Sequence, residues 1–212
     1  ALHGAAGTVP VIVGAVLAGV LFGNTGLLSA QAGPGLAFAS QTLLRLGIVL
    51  LGLRLSIGDV AELGPATLAV IVATVTGTFF GVQRIGRRLG LSEGLSLLVA
   101  SGFSICGNSA IASVNGVVDA DDEEVAAAVG LVTLCGTLAI VVIPALGSLF
   151  GLDDIQLGIW TGAGVQDTAQ VIAVASAAGP AVLATATAVK LTRVLFLAPI
   201  VAGVSLRNRR RG

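Results

Sequence analysis

The chain has 212 residues, of which 55% are hydrophobic and only 10% are charged, and its formal net charge is zero. An ordinary soluble domain has about 25% charged residues, so this composition excludes a normal soluble domain and indicates an integral membrane protein in contact with lipid. The absence of net charge argues against a nucleic-acid partner. The single histidine, His3, argues against a His-based catalytic triad or zinc site. No phosphate-binding GxxxxGK[ST] motif occurs, and no cofactor is expected.

Seven apolar segments reach, or nearly reach, the roughly 20 residues that a membrane-spanning helix needs. We label them A (8–23), B (36–55), C (65–82), D (94–117), E (123–146), F (156–178) and G (180–205). Together they predict an all-α, polytopic transmembrane helical bundle that forms a single transmembrane domain over residues 1–212. Because the chain starts at Ala1 and contains no Met, we expect it to be a trimmed or partial chain of a longer protein.

Two arginine clusters predict the orientation of the chain in the membrane. One follows segment C at residues 84, 87 and 88, and the other follows segment G within residues 207–211. The positive-inside rule places both on the cytoplasmic side of a bacterial plasma membrane. If segments D to G all cross, their even number agrees with this placement, and the acidic D–E loop at residues 119–124 lies outside. The agreement is lost if only one of D and F is a re-entrant hairpin.

Segments D and F each contain small and polar residues near the middle. Backbone can unwind at membrane depth only where protein or a water-filled cavity satisfies its polar groups. Paired interruptions of this kind indicate the binding site of a transporter, although close packing of helices is an alternative. The sequence predicts breaks at residues 106–109 and 164–168. The polar residues predicted to bind substrate there are Ser104, Cys106, Gly107, Asn108, Ser109, Gln166, Asp167, Thr168 and Gln170.

Charged residues also lie near the centres of three segments. Arg45 is in B, Asp167 is in F, and Lys190 and Arg193 are in G at a spacing that puts them on one helix face. Each costs at least about 2.5–3.5 kcal/mol on insertion scales. The excess of cations predicts an anion site in which Arg45, Lys190 and Arg193 point inward, at least one of them near a break. The alternative is pairing with helix C-terminal carbonyls or with carboxylates elsewhere in a longer chain.

The predicted breaks would expose the N-termini of two half-helices near Asn108 and Asp167. Unpaired backbone N–H groups and the positive end of the helix dipole make such termini suitable for binding an anion. Asp167 has two possible roles there. It caps its own half-helix, or it carries a coupling H⁺ or Na⁺.

Several motifs resemble one known family. The string SICGNSAIA (104–112) is similar to the CGxSAI signature of the YeiH family, bacterial membrane proteins that are labelled as sulfate exporters. Further matches are LLRLGIVLLGLRLS (43–56), GRRLGL (86–91), Glu123-Glu124, QDTAQVIA (166–173) and VKLTRV (189–194). The resemblance covers nearly the whole chain. It implies a distant relationship to cation–proton antiporters and anion transporters, with inverted repeats, discontinuous helices and further membrane helices beyond both ends of the chain. This sequence departs from the family pattern at Gln166, where many relatives have His, and at residues 115–116, where relatives often have Ala-Pro.

These observations predict a secondary-active transporter, working by alternating access, for a small anion such as sulfate or a sulfur-containing or organic anion. The predicted transport includes export from the cell as a direction, and a homodimer is a candidate for the assembly of the protein. The alternative is a channel-like pore or the membrane subunit of a larger complex. An enzyme is not expected. An intramembrane hydrolase could use Ser104 or Cys106 as its nucleophile, but no histidine or second carboxylate is placed to act as its base.

Overall fold

The computed structural model describes residue 35 and residues 63–118 and 120–209. The chain divides into two compact units, Ala1–Asp59 and Val60–Gly212, and the helices considered below lie in the second. They are α1 (Gly64–Arg88), α2 (Glu93–Ser104), α3 (Asn108–Asn115), α4 (Asp122–Leu149), α5 (Asp154–Gly164), α6 (Thr168–Ala178), α7 (Pro180–Val194) and α8 (Leu197–Arg209). The described residues contain no strand, which confirms the predicted all-α class. Segments A and B, and Arg45 within B, lie outside the described residues.

Three of these elements are long and apolar enough to cross a membrane. Within the described residues they are α1, α4 and the α7–α8 pair, which correspond to segments C, E and G. Their ends have the expected chemistry. Proline occupies the first turn of α1 and of α7, where its missing N–H costs nothing. The first turn of α4 carries three acidic residues that favour its positive dipole end.

Segment G is kinked, although the sequence suggested one uninterrupted helix. The helix tightens where α7 meets α8, with the amides of Leu195 and Phe196 bonding to carbonyls three residues earlier at 3.2 and 3.0 Å. Pro199 explains the kink, because it has no N–H to donate to the carbonyl of Leu195 and its ring crowds that carbonyl. Arg193 therefore lies just before the bend.

Segment D is a hairpin whose two ends lie on the same face of the bundle. At its start, a Cβ on Gly94 would lie 3.4 Å from the Cβ of Ala120, which follows α3. At its end, the Asn208 side chain donates to the carbonyl of Val117 at 3.0 Å, while the neighbouring Arg207 pairs with Glu93 at the start of α2. The chain thus enters through α2, turns, and returns through α3 to the face from which it started. Because Arg207 lies at that face, we call it the arginine face.

Segment F is a second hairpin, inserted from the opposite face. At its start, α5 packs through Leu157 on Gly147, near the end of α4. The returning helix α6 packs through Val174 and Ala175 in the same apolar cluster as Ile143 of α4. Helix α7 then begins beside α5, because a Cβ on Gly158 would lie 3.1 Å from the carbonyl oxygen of Val182. Helix α6 therefore returns to the face from which α5 started.

The predicted interruptions are confirmed, and of the two arrangements that the sequence leaves open for D and F, broken crossing helices and re-entrant hairpins, the structure shows hairpins. The helices break at residues 105–107 and 165–167, inside or beside the predicted ranges, and the chain reverses direction at each break. Because both segments are hairpins, the two arginine clusters still share one face. The predicted position of the D–E loop is wrong, since Ser92 at the start of D bonds to Glu124 at the start of E. This loop lies on the arginine face.

This arrangement predicts the labelling pattern of single cysteines in a background lacking Cys106 and Cys135. In intact cells, Asp121→Cys and Arg209→Cys should behave alike and resist a membrane-impermeant thiol reagent, because the positive-inside rule makes the arginine face cytoplasmic. Gly151→Cys, beyond the far end of α4, should be labelled. Labelling of Asp121→Cys but not of Arg209→Cys would restore the crossing of D and contradict the hairpin.

Candidate functional site

The two hairpins meet at their turns, which we call tip D (residues 105–107) and tip F (residues 165–167). Gly107 has φ +69° and ψ −131°, a conformation that a side chain would strain. It also allows close approach, because a Cβ there would lie 3.4 Å from the backbone nitrogen, Cα and Cβ of Asp167. A glycine at this position lets the backbone of one tip lie directly against the other.

Lys190 of α7 lies between the two tips and is completely buried. Its ammonium group donates to Ile105 O of tip D at 2.8 Å and to Val165 O of tip F at 3.0 Å. It also donates to Gln166 O. An ammonium group has three N–H donors, so all of them are used by backbone carbonyls.

Arg193 makes the same kind of contact one turn further along α7, and it is 1% exposed. Its guanidinium donates to Ser104 O at 2.9 Å from Nη2 and 3.3 Å from Nε, and to Ala163 O at 2.7 Å. Further bonds reach Phe103 O at 3.0 Å and Gly162 O at 3.0 Å, with a longer one to Val165 O. Each guanidinium nitrogen thus has carbonyl partners, and the group is held by the C-terminal ends of both α2 and α5.

The prediction that Lys190 and Arg193 point into the protein near the breaks is confirmed. Their contacts follow the alternative interpretation from the sequence, in which the cations pair with helix C-terminal carbonyls. The negative dipole ends of α2 and α5 carry about half a charge each, which explains why two cations are stable here. Because backbone carbonyls already occupy their donors, neither cation has a free N–H group with which to contact a ligand directly.

The second arms of the hairpins present N-termini that differ from each other. Helix α3 has no side-chain cap. The amides of Ala110 and Ile111 bond back to Gly107 O at 3.1 and 3.2 Å, which leaves the amides of Asn108 and Ser109 without an intrahelical partner. Helix α6 is capped by Asp167, whose carboxylate accepts from Ala169 N at 2.8 Å. Asp167 thus takes the capping role, and the open N-terminus belongs to α3.

Helix α4 contacts both second arms through residues that sequence reasoning missed. Asn108 Nδ2 donates to Thr133 Oγ1 at 3.2 Å, and Gln170 Nε2 lies 3.5 Å from both Thr133 O and Thr137 Oγ1. The side chain of Gln170 packs directly on Gly136. Thr133 and Thr137 lie four residues apart, with Gly136 between them, in the candidate membrane span of highest mean hydropathy. This pattern could have identified the face of α4 that contacts the second arms.

The remaining predicted residues also lie at or beside the tips. Ser104 and Cys106 are buried, with Cys106 in an apolar cluster with Ile105 and Ala110, whereas Ser109 and Thr168 are half-buried. Gln166 donates to Gly164 O at 3.1 Å. Within the described part of the chain, three side-chain oxygens near the tips are buried without a hydrogen-bond donor, those of Asn108, Gln166 and Gln170. No cluster of His, Cys, Asp and Glu in those residues could hold a metal ion.

The charges at the tips do not cancel. Two helix C-termini and two helix N-termini meet there, and at about half a charge each they offset one another. Among the described residues, the side chains of Lys190 and Arg193 are opposed by that of Asp167, which leaves an excess of about one positive charge near the open N-terminus of α3. The region can attract an anion while its lysine and arginine remain bound to carbonyls.

Comparison with known proteins assigns the chain to a family. Residues 4–212 match the family described as conserved hypothetical protein 698. A UPF0324 membrane protein of Corynebacterium glutamicum is 45% identical over 210 residues, covering 99% of this chain and 61% of that protein. The UPF0324 membrane protein TauZ of Paracoccus pantotrophus is 36% identical over 206 residues, covering 96% of this chain and 61% of that protein.

The chain spans about three-fifths of the length of these two relatives. No solved structure matches it significantly. The helical membrane fold and the match over nearly all its residues agree that the chain belongs to the conserved hypothetical protein 698 family, whose matching relatives are named UPF0324 membrane proteins.

Proposed function

We propose that this chain forms the substrate-binding core of a secondary-active transporter that moves a small anion by alternating access and is not an enzyme. One observation carries the proposal. Two hairpins inserted from opposite faces meet at tips D and F, in contact at Gly107 and Asp167. Paired interruptions in apolar segments are typical of transporter binding sites near the middle of the bilayer. A ligand held at the tips is separated from each face by only one hairpin.

The open N-terminus of α3 supplies the anion contacts in this proposal. The amides of Asn108 and Ser109 would donate to the anion, because a helix N-terminus offers both free N–H groups and a positive dipole. The Ser109 hydroxyl adds a donor that can reach an oxyanion such as sulfate or an organic sulfonate. Lys190 and Arg193 contribute charge through space. In this proposal the carboxylate of Asp167 that caps α6, beside Gly107, would also carry a coupling H⁺ or bind Na⁺.

Transport by the full-length protein in proteoliposomes tests the proposal. We expect radiolabelled sulfate, or another small oxyanion, to enter with saturable kinetics, and unlabelled anion on the far side to accelerate its uptake by exchange. A pore would instead give flux that rises linearly with concentration and shows no exchange. Linear flux for every anion tested, or no flux with correctly folded protein, would overturn the proposal.

Placing a carboxylate at the open N-terminus should block the site from within. In Ser109→Asp, the introduced carboxylate is expected to accept from the free amides of α3 and to occupy the anion position. Anion affinity should fall at least about tenfold, the size of a single charge-assisted hydrogen bond, while the melting temperature holds or rises. The matched control is Ser109→Asn, which has nearly the same shape but no charge. Equal anion affinity in both variants, measured by calorimetry, would remove α3 from the site.

A further inference from the structure

We propose that Lys190 and Arg193 are positioning residues that hold both hairpin tips to α7, so that the two tips move as one body. The movement itself rests on the transport function proposed above. The physical link between the tips does not, and it can be measured without any substrate.

Each cation bonds to both hairpins at once. Lys190 donates to Ile105 O of tip D and to Val165 O of tip F. Arg193 donates to Ser104 O at the end of α2 and to Ala163 O at the end of α5. Neither hairpin can leave α7 without removing acceptors from a buried charge.

Breaking such a contact is costly because no other contact in the described part of the chain replaces it. Both side chains are essentially inaccessible, and each cation would lose charge-assisted hydrogen bonds in a region of low dielectric. The carbonyls released by a departing tip would also be left buried without a donor. A single tip that opened as a gate would have to meet both costs in every cycle. A joint displacement of the two tips with α7 leaves all of these bonds intact.

The contact between α5 and α7 strengthens the same unit. Gly158 and Gly162, four residues apart on α5, lie directly against α7, and a Cβ on Gly162 would lie 2.5 Å from Ala186 O. Small residues at this spacing let two membrane helices approach closely. This contact fixes only hairpin F to α7. The two cations extend the unit to hairpin D.

Hydrogen–deuterium exchange of the full-length protein in detergent tests the link, with one reporter amide at each tip. The Gly107 amide bonds to Gly102 O at 2.9 Å and the Val165 amide bonds to Thr161 O at 3.0 Å. In Lys190→Met, exchange should accelerate about tenfold or more at both reporters, whereas Lys190→Arg should restore most of the protection. Arg207→Gln, which alters a pair at the arginine face, should change neither reporter. Faster exchange at one tip only, or at neither, would overturn the proposal.

A second measurement on the wild type remains decisive if Lys190→Met does not fold. Native-state exchange at low denaturant should give the two reporters the same opening free energy, because the tips open together. Clearly different values would show that the tips open separately, whatever the protein transports.

Uptake kinetics give a third measurement that tests the role of Lys190. Lys190→Arg should lower the maximal rate and leave the apparent KM within about twofold of wild type, since Lys190 has no donor left for the substrate. A raised KM with unchanged exchange at both tips would make Lys190 a substrate ligand instead.

Discussion

Replacing Arg193 with glutamine is expected to cause the largest loss of folded protein of any single substitution considered for this chain. The guanidinium bonds to carbonyls at the ends of both α2 and α5, including Phe103 O and Ala163 O. Glutamine has two N–H donors in place of five, so several buried carbonyls would lose their partners. At about 1–3 kcal/mol for each unsatisfied group, the destabilisation should reach at least about 3 kcal/mol. Fluorescence-detected size-exclusion chromatography after graded heating measures the effect.

Two further substitutions test whether the loss of stability comes from the buried contacts of the guanidinium group. Arg193→Lys should rescue little, because an ammonium group cannot reproduce the planar fork of the guanidinium. Arg207→Gln is the control, since Arg207 lies in an exposed pair with Glu93, and exposed pairs contribute about 0–1 kcal/mol. A normal melting temperature for Arg193→Gln together with lost anion binding would contradict the structural role and restore direct contact with substrate.

Gly162→Ala is expected to have the second large effect, through the position of α7. The new Cβ would lie 2.5 Å from the backbone oxygen of Ala186 and 2.8 Å from the Cβ of Val189. Neither atom is the end of a flexible chain, so α7 must shift, and overpacking of this kind costs about 1–3 kcal/mol. The displaced helix carries Lys190 one turn after Ala186. Transport should therefore fall by more than the loss of folded protein explains.

Gly130→Ala is the matched control for this substitution. Gly130 lies inside α4, and none of the described residues has an atom within 4 Å of the Cβ position. Alanine there should hold or raise stability, by up to about 1 kcal/mol, because it reduces the backbone entropy lost on folding. The comparison of thermal stability and uptake between the two alanine variants separates the tight contact from a general effect of removing a glycine. Equal stability of the two variants would show that α5 and α7 can move apart without cost.

The two interruptions could be predicted from sequence, but the reversal of the chain at each of them could not. Glycine and polar residues at 106–109 and 164–168 mark the places where a helix in lipid loses its backbone bonds. Segment F, read as 156–178, has the length of one spanning helix. The structure divides it into two helices of 11 residues each. A straight span and a folded hairpin need the same number of apolar residues, so hydropathy cannot distinguish them. The neighbours decide between them, because α4 and α7 each pack against both arms of F.

The charged residues show the same division. Burial of Lys190 and Arg193 follows from sequence, because two cations in the middle of an apolar segment cannot face lipid cheaply. Their partners could not be predicted, since backbone carbonyls have no signature in sequence and become acceptors only where a helix ends. Asp167 was predicted as either a cap or an ion carrier, and the structure shows the capping bond to Ala169 N. The contribution of Thr133 was missed because it becomes apparent only when α4 packs against both second arms.

The sequence by itself therefore determined the class of the protein, the places where its helices break and the residues gathered at the breaks, because these depend on local composition and on the cost of placing polar groups in lipid. The tertiary structure alone decided that D and F are hairpins from opposite faces, that the D–E loop lies on the arginine face, and that Lys190 and Arg193 bind the carbonyls of both tips. These properties depend on which helix ends meet. Contacts between residues about 25 to 90 positions apart, such as Lys190 with Ile105 and with Val165, determine that meeting.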